Sequence, residues 1–119
     1  MEDFVLKKCQ IAIFKLRSIA GMRKYMNEDT ARTMVQAMVM SKLDYGNGLL
    51  YGVNKRLIRK LQLVQNTAAK LIAKIPRRAH ITPVLKHLHW LPIEARVLFK
   101  ILVICFKCLE SSNDSIDRV

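Results

Sequence analysis

The residues that could bind a metal or act as nucleophiles lie in two stretches of the chain. His80, His87 and His89 fall in one, and Cys105-Phe-Lys-Cys108 in the other has the spacing of a zinc-binding pair. Zinc sites place such cysteines in turns, whereas these lie inside an apolar run that is typical of a helix. We therefore expect buried thiols, with His87 and His89 as partly buried, hydrogen-bonded packing residues, and no metal and no cofactor. A zinc site or a Cys–His nucleophile pair is the alternative interpretation.

Carboxylates are too scattered along the chain for acid–base catalysis. Asp44 is the only acidic residue between Thr30 and Ile93, so no local pair of carboxylates is available to bind a metal or to act as general acid and base. Gly46 and Gly48 lie in a stretch that lacks the Lys-Ser/Thr ending and the preceding strand of a phosphate-binding loop, which favours a structural turn. We expect that the chain is not an enzyme as it stands.

Positive charge is the strongest chemical signal in the sequence. The 21 Lys and Arg residues against 9 Asp and Glu give a net charge of +12, which attracts polyanions. From Tyr45 to Ile93 no residue is acidic, and the basic residues there are interleaved with Gln62, Gln65 and Asn66. A run of charges is usually only a solvated face, but this one-signed pattern favours contacts with phosphates. The residues that we expect to make them are Arg56, Arg59, Lys60, Lys70, Lys74, Arg77 and Arg78.

Most of these basic residues belong to one predicted amphipathic helix that begins at Lys55. Asn54 is its expected cap, and Pro76, which has no amide donor, is expected to end it. Apolar residues recur on one side at helical spacing, and these are Leu57, Leu61, Val64, Ala68, Leu71 and Ile75. The opposite side collects Arg56, Arg59, Gln62, Asn66, Lys70 and Lys74.

Three further helices and a connector complete the predicted chain. The same spacing predicts helices over Phe4–Ile19, ended by Gly21, over Asp29–Leu43, and over Ile93 to about Leu109. Thr82 is the expected cap of a short helix in the connector, with Pro83 at its first helical position. The residues expected to have a structural role, anchoring loops and the connector onto the helices, are Asp44, Tyr45, Trp90 and Pro92.

These elements predict an all-α fold, a bundle of four to five helices with an ordered, proline-containing connector. Residues 1–110 would form a single helical domain and residues 111–119 a polar tail. The three cysteines make no obvious disulfide framework and no secretory signal precedes them, so we expect an intracellular protein, nuclear or cytoplasmic and not secreted. The apolar run from Ile101 to Phe106 is far shorter than a membrane span, so no membrane partner is expected.

Three ordered motifs resemble a known family. They are SKLDYGNGLLYG from Ser41, KLQLVQNTAAKLI from Lys60 and HITPVLKHLHWLPIEARVLFKILVICFKCL from His80. Together they resemble the region after the catalytic core in the reverse transcriptases of LINE-type, non-long-terminal-repeat (non-LTR) retrotransposons of the jockey-like kind. The resemblance covers about Cys9 to Leu109. Gly46 and Gly48 depart from the Cys and Ser of the family pattern, and the continuation after Leu109 also differs.

The resemblance implies a helical thumb and adjoining connection, which grip the template–primer duplex beside the polymerase palm. The palm carboxylates and the endonuclease of that family have no counterpart in this sequence, so the RNA-directed DNA polymerase activity of the parent is not expected. We expect instead a truncated, non-catalytic remnant that binds nucleic acid. Its expected partner is RNA or an RNA–DNA hybrid, with DNA, a polymerase palm or another helical protein as further candidates.

The last predicted helix supports an alternative interpretation. It is apolar nearly all round, so it is either the centre of the bundle or a surface for a neighbour. The chain would then be a helical protein-interaction module, or a pseudogene-like product with no nucleic-acid role, and its charge would be incidental.

Overall fold

The computed structural model describes residues 2–44, 54–76 and 78–117, and this part of the chain contains helices and no strand. The predicted all-α bundle is confirmed. Tyr45, Gly46, Gly48 and Arg77 lie outside the described residues. The elements are α1 (Glu2–Met22), a 3-10 turn (Arg23–Tyr25), α2 (Glu28–Val35), a π-helical stretch (Gln36–Met40), α3 (Ser41–Asp44), α4 (Lys55–Ala73), α5 (Ile81–Leu88) and α6 (Ile93–Asp117).

Helix α4 is the centre of the bundle and packs against α1, α2, α5 and α6. Because it has neighbours on several sides, it buries a wider face than the predicted stripe. Leu71 and Ile75 are only partly buried, although the sequence predicts them in the core. The buried residues of α4 are Leu57, Leu61, Val64, Gln65, Ala68, Ala69 and Ile72.

The end of α4 differs from the prediction. The helix ends at Ala73, and Lys74 takes the left-handed conformation with φ 55°. The Ile75 amide then donates to the Lys70 carbonyl at 3.2 Å, which is the long hydrogen bond of a Schellman motif. The helix thus ends two residues before Ile75, the last residue that a stop at Pro76 would allow, and the proline disfavours helical conformation only in Ile75.

The short helix α5 ends in the same way and begins differently from the prediction. His89 has φ 58°, and the Trp90 amide donates to the Leu85 carbonyl at 2.9 Å. At the other end His80 is the capping position and makes no side-chain cap bond. The predicted Thr82 cap is therefore wrong, because the helix already begins at Ile81.

The first two predicted helices form with small shifts. Helix α1 continues through Gly21 to Met22, so this glycine does not end it. The side chain of Asn27 caps α2 by accepting a 2.8 Å hydrogen bond from the Thr30 amide. The predicted helix from Asp29 to Leu43 is one helical run that contains the π-helical stretch between α2 and α3.

Helix α6 leaves the bundle after its second turn. Ile93 and Val97 are buried in the core, whereas large apolar side chains further along are exposed, among them Leu98, Leu102 and Phe106. The helix continues past the predicted end at Leu109 to Asp117. The radius of gyration is 16.8 Å, compared with about 13–14 Å for a compact chain of this length. No helix in the described ranges has the length and apolar character that crossing a membrane requires.

Candidate nucleic-acid interface

One face of α4 carries most of the basic residues singled out from the sequence. Arg56, Arg59 and Lys74 are exposed, and Lys60 and Lys70 are half-buried. We call these five residues the basic stripe. At 3.6 residues per turn the four that belong to α4 fall on one side of the helix, and Lys74 follows directly after its last residue. Arg56 to Lys70 spans about 21 Å at the α-helical rise. Arg78 is exposed beyond the proline at the end of α4.

Asn54 fixes where this helix begins. Its side-chain oxygen accepts a 2.8 Å hydrogen bond from the Arg56 amide, as the sequence predicted for the cap. The Asn54 carbonyl also accepts from the Leu57 and Ile58 amides at 3.0 and 3.3 Å, so the cap satisfies the first turn of α4. The cap therefore fixes the position of the exposed Lys55 and Arg56 side chains at this end of the helix.

Uncharged residues, and not the expected amide side chains, occupy the middle of the basic stripe. Leu63, 59% exposed, and Thr67 fill the surface between the two groups of basic residues. The expected interleaving of amides on this face is wrong. Gln62 and Asn66 lie at its border, half-buried, and Gln65 is fully buried.

The amides of α4 instead attach α6 to the bundle. Gln62 donates to the side-chain oxygens of Gln65 and Asn66 at 2.7 and 2.8 Å, and its own oxygen accepts from the Ile93 amide at 2.8 Å. Gln65 donates to the Leu91 carbonyl at 2.8 Å. This network gives the Ile93 amide, at the first residue of α6, the acceptor that no residue within the helix supplies, and it ties the connector to α4 at Leu91. A signal for it was present in the sequence, because Gln65 falls among the apolar positions of α4.

A groove beside the end of α4 is lined in part by Arg23 and Lys24, two basic residues that the sequence did not indicate as functional. Its volume is about 450 Å³, and it lies between the last turn of α1, the 3-10 turn and the second half of α4. None of the residues that line it is acidic. They are Ala20, Arg23, Lys24, Thr67, Lys70, Leu71, Lys74 and Ile75.

Arg23 holds the 3-10 turn against the end of α4. Its guanidinium donates to the carbonyls of Leu71 at 3.0 Å, Ile72 at 2.7 Å and Met26 at 2.6 Å, and the residue is only 7% exposed. A cation at a helix C-terminus also complements the helix dipole. This attachment places Lys24 beside Lys70, which is why the groove has a cationic rim.

Three of the residues predicted to have a structural role, Asp44, Trp90 and Pro92, lie around the start of α6, and the fourth, Tyr45, is outside the described residues. Asp44 accepts from Arg96 at 2.9 and 3.2 Å, and the Arg96 guanidinium lies 5.9 Å from the centre of the buried Trp90 ring. Arg96 also donates to the Leu91 carbonyl, and the Pro92 carbonyl accepts from the Arg96 amide at 2.9 Å. These contacts join α3, the connector and α6, and the acid and the arginine that pair are more than fifty residues apart.

Two adjacent residues of α1 have shifted pKa values. Burial lowers the pKa of Lys8, partly offset by the charge of Asp44, while its ammonium donates to the Leu43 carbonyl at 3.0 Å. Burial raises the pKa of the Cys9 thiol, partly offset by Lys60 and Lys8. Both shifts follow from removing the charged form from water, so neither residue is suited to act as an anion-binding cation or a reactive thiolate.

The histidines and cysteines do not form a chemical site in the described residues. His87 and His89 are exposed, which corrects the expected partial burial, and His87 lies 3.0 Å from a Glu28 carboxylate oxygen. Cys105 and Cys108 are exposed on the projecting part of α6 and not buried as predicted. In the described part of the chain, no three His, Cys, Asp or Glu residues are grouped as metal ligands.

Comparison with known proteins returned no relationship. No family model matches the chain, and no curated protein and no solved structure is similar to it.

Proposed function

We propose that this protein is a non-catalytic, thumb-like nucleic-acid-binding module whose basic stripe on α4 contacts the phosphate backbone of RNA or an RNA–DNA hybrid. The proposal includes an origin in the thumb and connection region of a non-LTR retrotransposon reverse transcriptase, which rests on the motif resemblance alone. On this view the interface contains α4 and Arg78.

The observation that carries the proposal is the one-signed surface of α4. Exposed or half-buried basic residues lie along one side of α4 and continue at Lys74, directly after its last residue, and the sequence from Tyr45 to Ile93 contains no acidic residue. Contacts between cations and phosphates release condensed counterions, so such a surface binds nucleic acid with steep salt dependence and little sequence preference. The rigid helix keeps the charges at fixed spacing against a regular backbone.

Binding to a blunt RNA–DNA hybrid across a salt series tests the proposal. We expect the triple variant Arg56→Gln, Arg59→Gln, Lys70→Gln to weaken binding and to reduce the slope of log K against log salt by about 2 to 3, near 0.9 for each lost phosphate contact. The matched control carries Lys7→Gln, Lys100→Gln and Lys107→Gln, three exposed lysines of α1 and α6. It loses the same charge but should keep the slope.

The slope of log K against log salt distinguishes a dedicated interface on α4 from a general attraction between the net positive charge and the hybrid. Equal losses of slope in the two variants would mean that net charge alone attracts the hybrid, and the stripe assignment would be abandoned. Circular dichroism on the same samples verifies that both variants keep their helices.

A specific observation favours a second candidate, a helical protein-interaction module. The exposed face of α6 carries large apolar side chains over several turns, including Leu98, Phe99, Leu102, Phe106 and Leu109. Such a face is wide enough to pack against an apolar helix of another protein. Light scattering of the purified chain, with and without RNA, separates the two candidates, because association that ignores RNA supports the second.

A further inference from the structure

We infer that the groove beside the end of α4 receives one unpaired nucleotide of a strand that follows the basic stripe, with the base on the apolar floor and its phosphate at the lysine rim. The inference rests on the proposed function and extends it. It assigns a base-binding subsite to residues on three elements, α1, the 3-10 turn and α4.

The lining of the groove is amphipathic in the way that a nucleotide requires. Ala20, Leu71 and Ile75 supply apolar surface, and Lys24 and Lys74 supply exposed ammonium groups at the rim. A volume of about 450 Å³ lies within the range of about 300–1,000 Å³ that is usual for small-ligand sites. A phosphate without a base would make no contact with the apolar floor. The combination of an apolar floor and a lysine rim therefore favours a nucleoside phosphate.

The electrostatics of the groove also suit a phosphate. Arg23 lies under the rim and its guanidinium donates to three backbone carbonyls. The Leu71 and Ile72 carbonyls lie at the C-terminal end of α4, where the helix dipole is negative, so they offset much of the guanidinium charge. The charge that attracts a phosphate therefore comes from the exposed lysines that line the groove, Lys24 and Lys74. The Lys24 ammonium also lies 5.0 Å from the centre of the Tyr25 ring.

Position along α4 makes a strand the source of the nucleotide. The groove shares Lys70 and Lys74 with the basic stripe, so it is the C-terminal end of the same surface. A duplex that lies along the stripe would direct an unpaired extension toward it. Tyr25, 80% exposed beside Lys24, offers an aromatic ring on which a neighbouring base can stack.

Two hybrids with matched overhangs test the inference. One carries a short single-stranded adenine overhang, and the other carries an overhang of the same length made of abasic nucleotides, so both present the same phosphates. We expect the wild-type chain to bind the base-bearing overhang about tenfold more tightly, since stacking or burial of one base is usually worth about that much.

The variant Ala20→Leu should abolish this preference by filling the floor of the groove. Ala20 is exposed on α1 and leucine is a good helix former, so the variant should fold and bind the blunt hybrid as the wild type does. Ala37→Leu, at an exposed alanine that does not line the groove, is the control and should keep the tenfold preference.

The outcomes separate the two proposals. If the wild type binds the blunt hybrid with a steep salt dependence but does not distinguish the two overhangs, the groove is not a base site and the stripe stands. A preference that survives in Ala20→Leu also overturns the groove. Failure to bind any hybrid overturns both.

Discussion

Several basic side chains of this protein act inside the fold and not on its surface. Arg23 donates to carbonyls at the end of α4, and Arg32 donates to the Leu88 carbonyl at the end of α5. Arg96 pairs with Asp44, and Lys8 is buried. Net charge therefore overstates the charge available to a polyanion, and the stripe on α4 matters more than the total of +12.

Arg23 should be one of the most stabilising charged residues of the chain. We expect Arg23→Ala to lower the free energy of unfolding by about 2–4 kcal/mol, because three carbonyls lose a charged donor and the 3-10 turn loses its attachment to α4. Urea unfolding followed by circular dichroism measures the effect. The neighbouring exposed Lys24→Ala is the control and should change stability by less than about 0.5 kcal/mol; similar losses in both variants would contradict this role for Arg23.

Cys9 should make the protein less stable in alkaline solution. Its folded pKa is raised by burial, so above a pH of about 8.5, the ordinary thiol value, the unfolded chain loses this proton first and folding stability falls as pH rises. The lowered pKa of Lys8 acts in the opposite direction, because the buried ammonium is disfavoured at neutral pH and that cost is relieved as Lys8 deprotonates.

The variant Cys9→Ala isolates the thiol contribution. Relative to the wild type, its free energy of unfolding should increase between about pH 7 and about pH 9.5, because only the wild type loses stability through the thiol. Urea titrations under reducing conditions measure the difference, in which the titration of groups common to both chains largely cancels. A difference that is independent of pH would show that burial does not control this thiol.

Two helices end on a non-glycine residue in the left-handed conformation, and both ends lead into a proline. Lys74 and His89 each have a positive φ, and the amide of the residue after each donates the long hydrogen bond of a Schellman motif. The turn after α4 sets where Lys74 lies relative to the groove, and the turn after α5 sets the burial of Trp90. The end of α4 therefore contributes to the geometry of the proposed interface and the end of α5 to the core, although neither residue is the type that this conformation favours.

Glycine should stabilise both helix ends. We expect Lys74→Gly and His89→Gly each to raise the free energy of unfolding by about 0.5–1 kcal/mol, because glycine adopts a positive φ without the steric cost that a Cβ brings. Thermal or urea unfolding checks the sign. Ala73→Gly, one residue earlier and still helical, should lower stability by up to about 1 kcal/mol; a loss in the two left-handed variants would contradict the assigned backbone conformation.

The molecule combines a small compact bundle with a projecting helix. Its principal extents are 59 × 31 × 23 Å, and the long dimension agrees with α6 continuing beyond the core. The core ends at Val97, and the exposed apolar residues begin directly after it. A surface of this kind in water favours association.

Self-association should depend on the apolar face of α6. The wild-type chain should show a mass that increases with concentration in light scattering, and the double variant Leu102→Glu, Phe106→Glu should remain monomeric because exposed apolar area is replaced by charge. Both positions are exposed, so stability should change by less than about 0.5 kcal/mol.

The control for α6 adds the same two charges without removing apolar surface. Ser111→Glu, Ser112→Glu lies further along the same helix at exposed positions and should still associate. Equal dissociation of the two variants would point to net charge as the cause, and a monomeric wild type would contradict self-association through α6.

Local patterns in the sequence were sufficient for the helices and for most of the core. Val5, Cys9, Ala12, Leu16 and Ile19 recur at three and four residues and are buried, because helical periodicity is a property of adjacent residues. The cap at Asn54 and the basic side of α4 were predictable for the same reason. The resemblance to the retrotransposon reverse transcriptases stays a prediction.

Only the tertiary structure decided which polar residues act internally and which face solvent. Four polar residues make hydrogen bonds to groups 26 to 52 residues away in the sequence, and these are Gln62, Gln65, Arg23 and Arg96. No local pattern in the sequence specifies such distant partners. The same holds for Lys24, which is brought to the end of α4 by packing of the 3-10 turn. Periodicity determines which side of a helix is apolar, but the arrangement of neighbouring helices determines whether that side is covered. This is why α6 is part of the core only in its first two turns and exposes its apolar side beyond them.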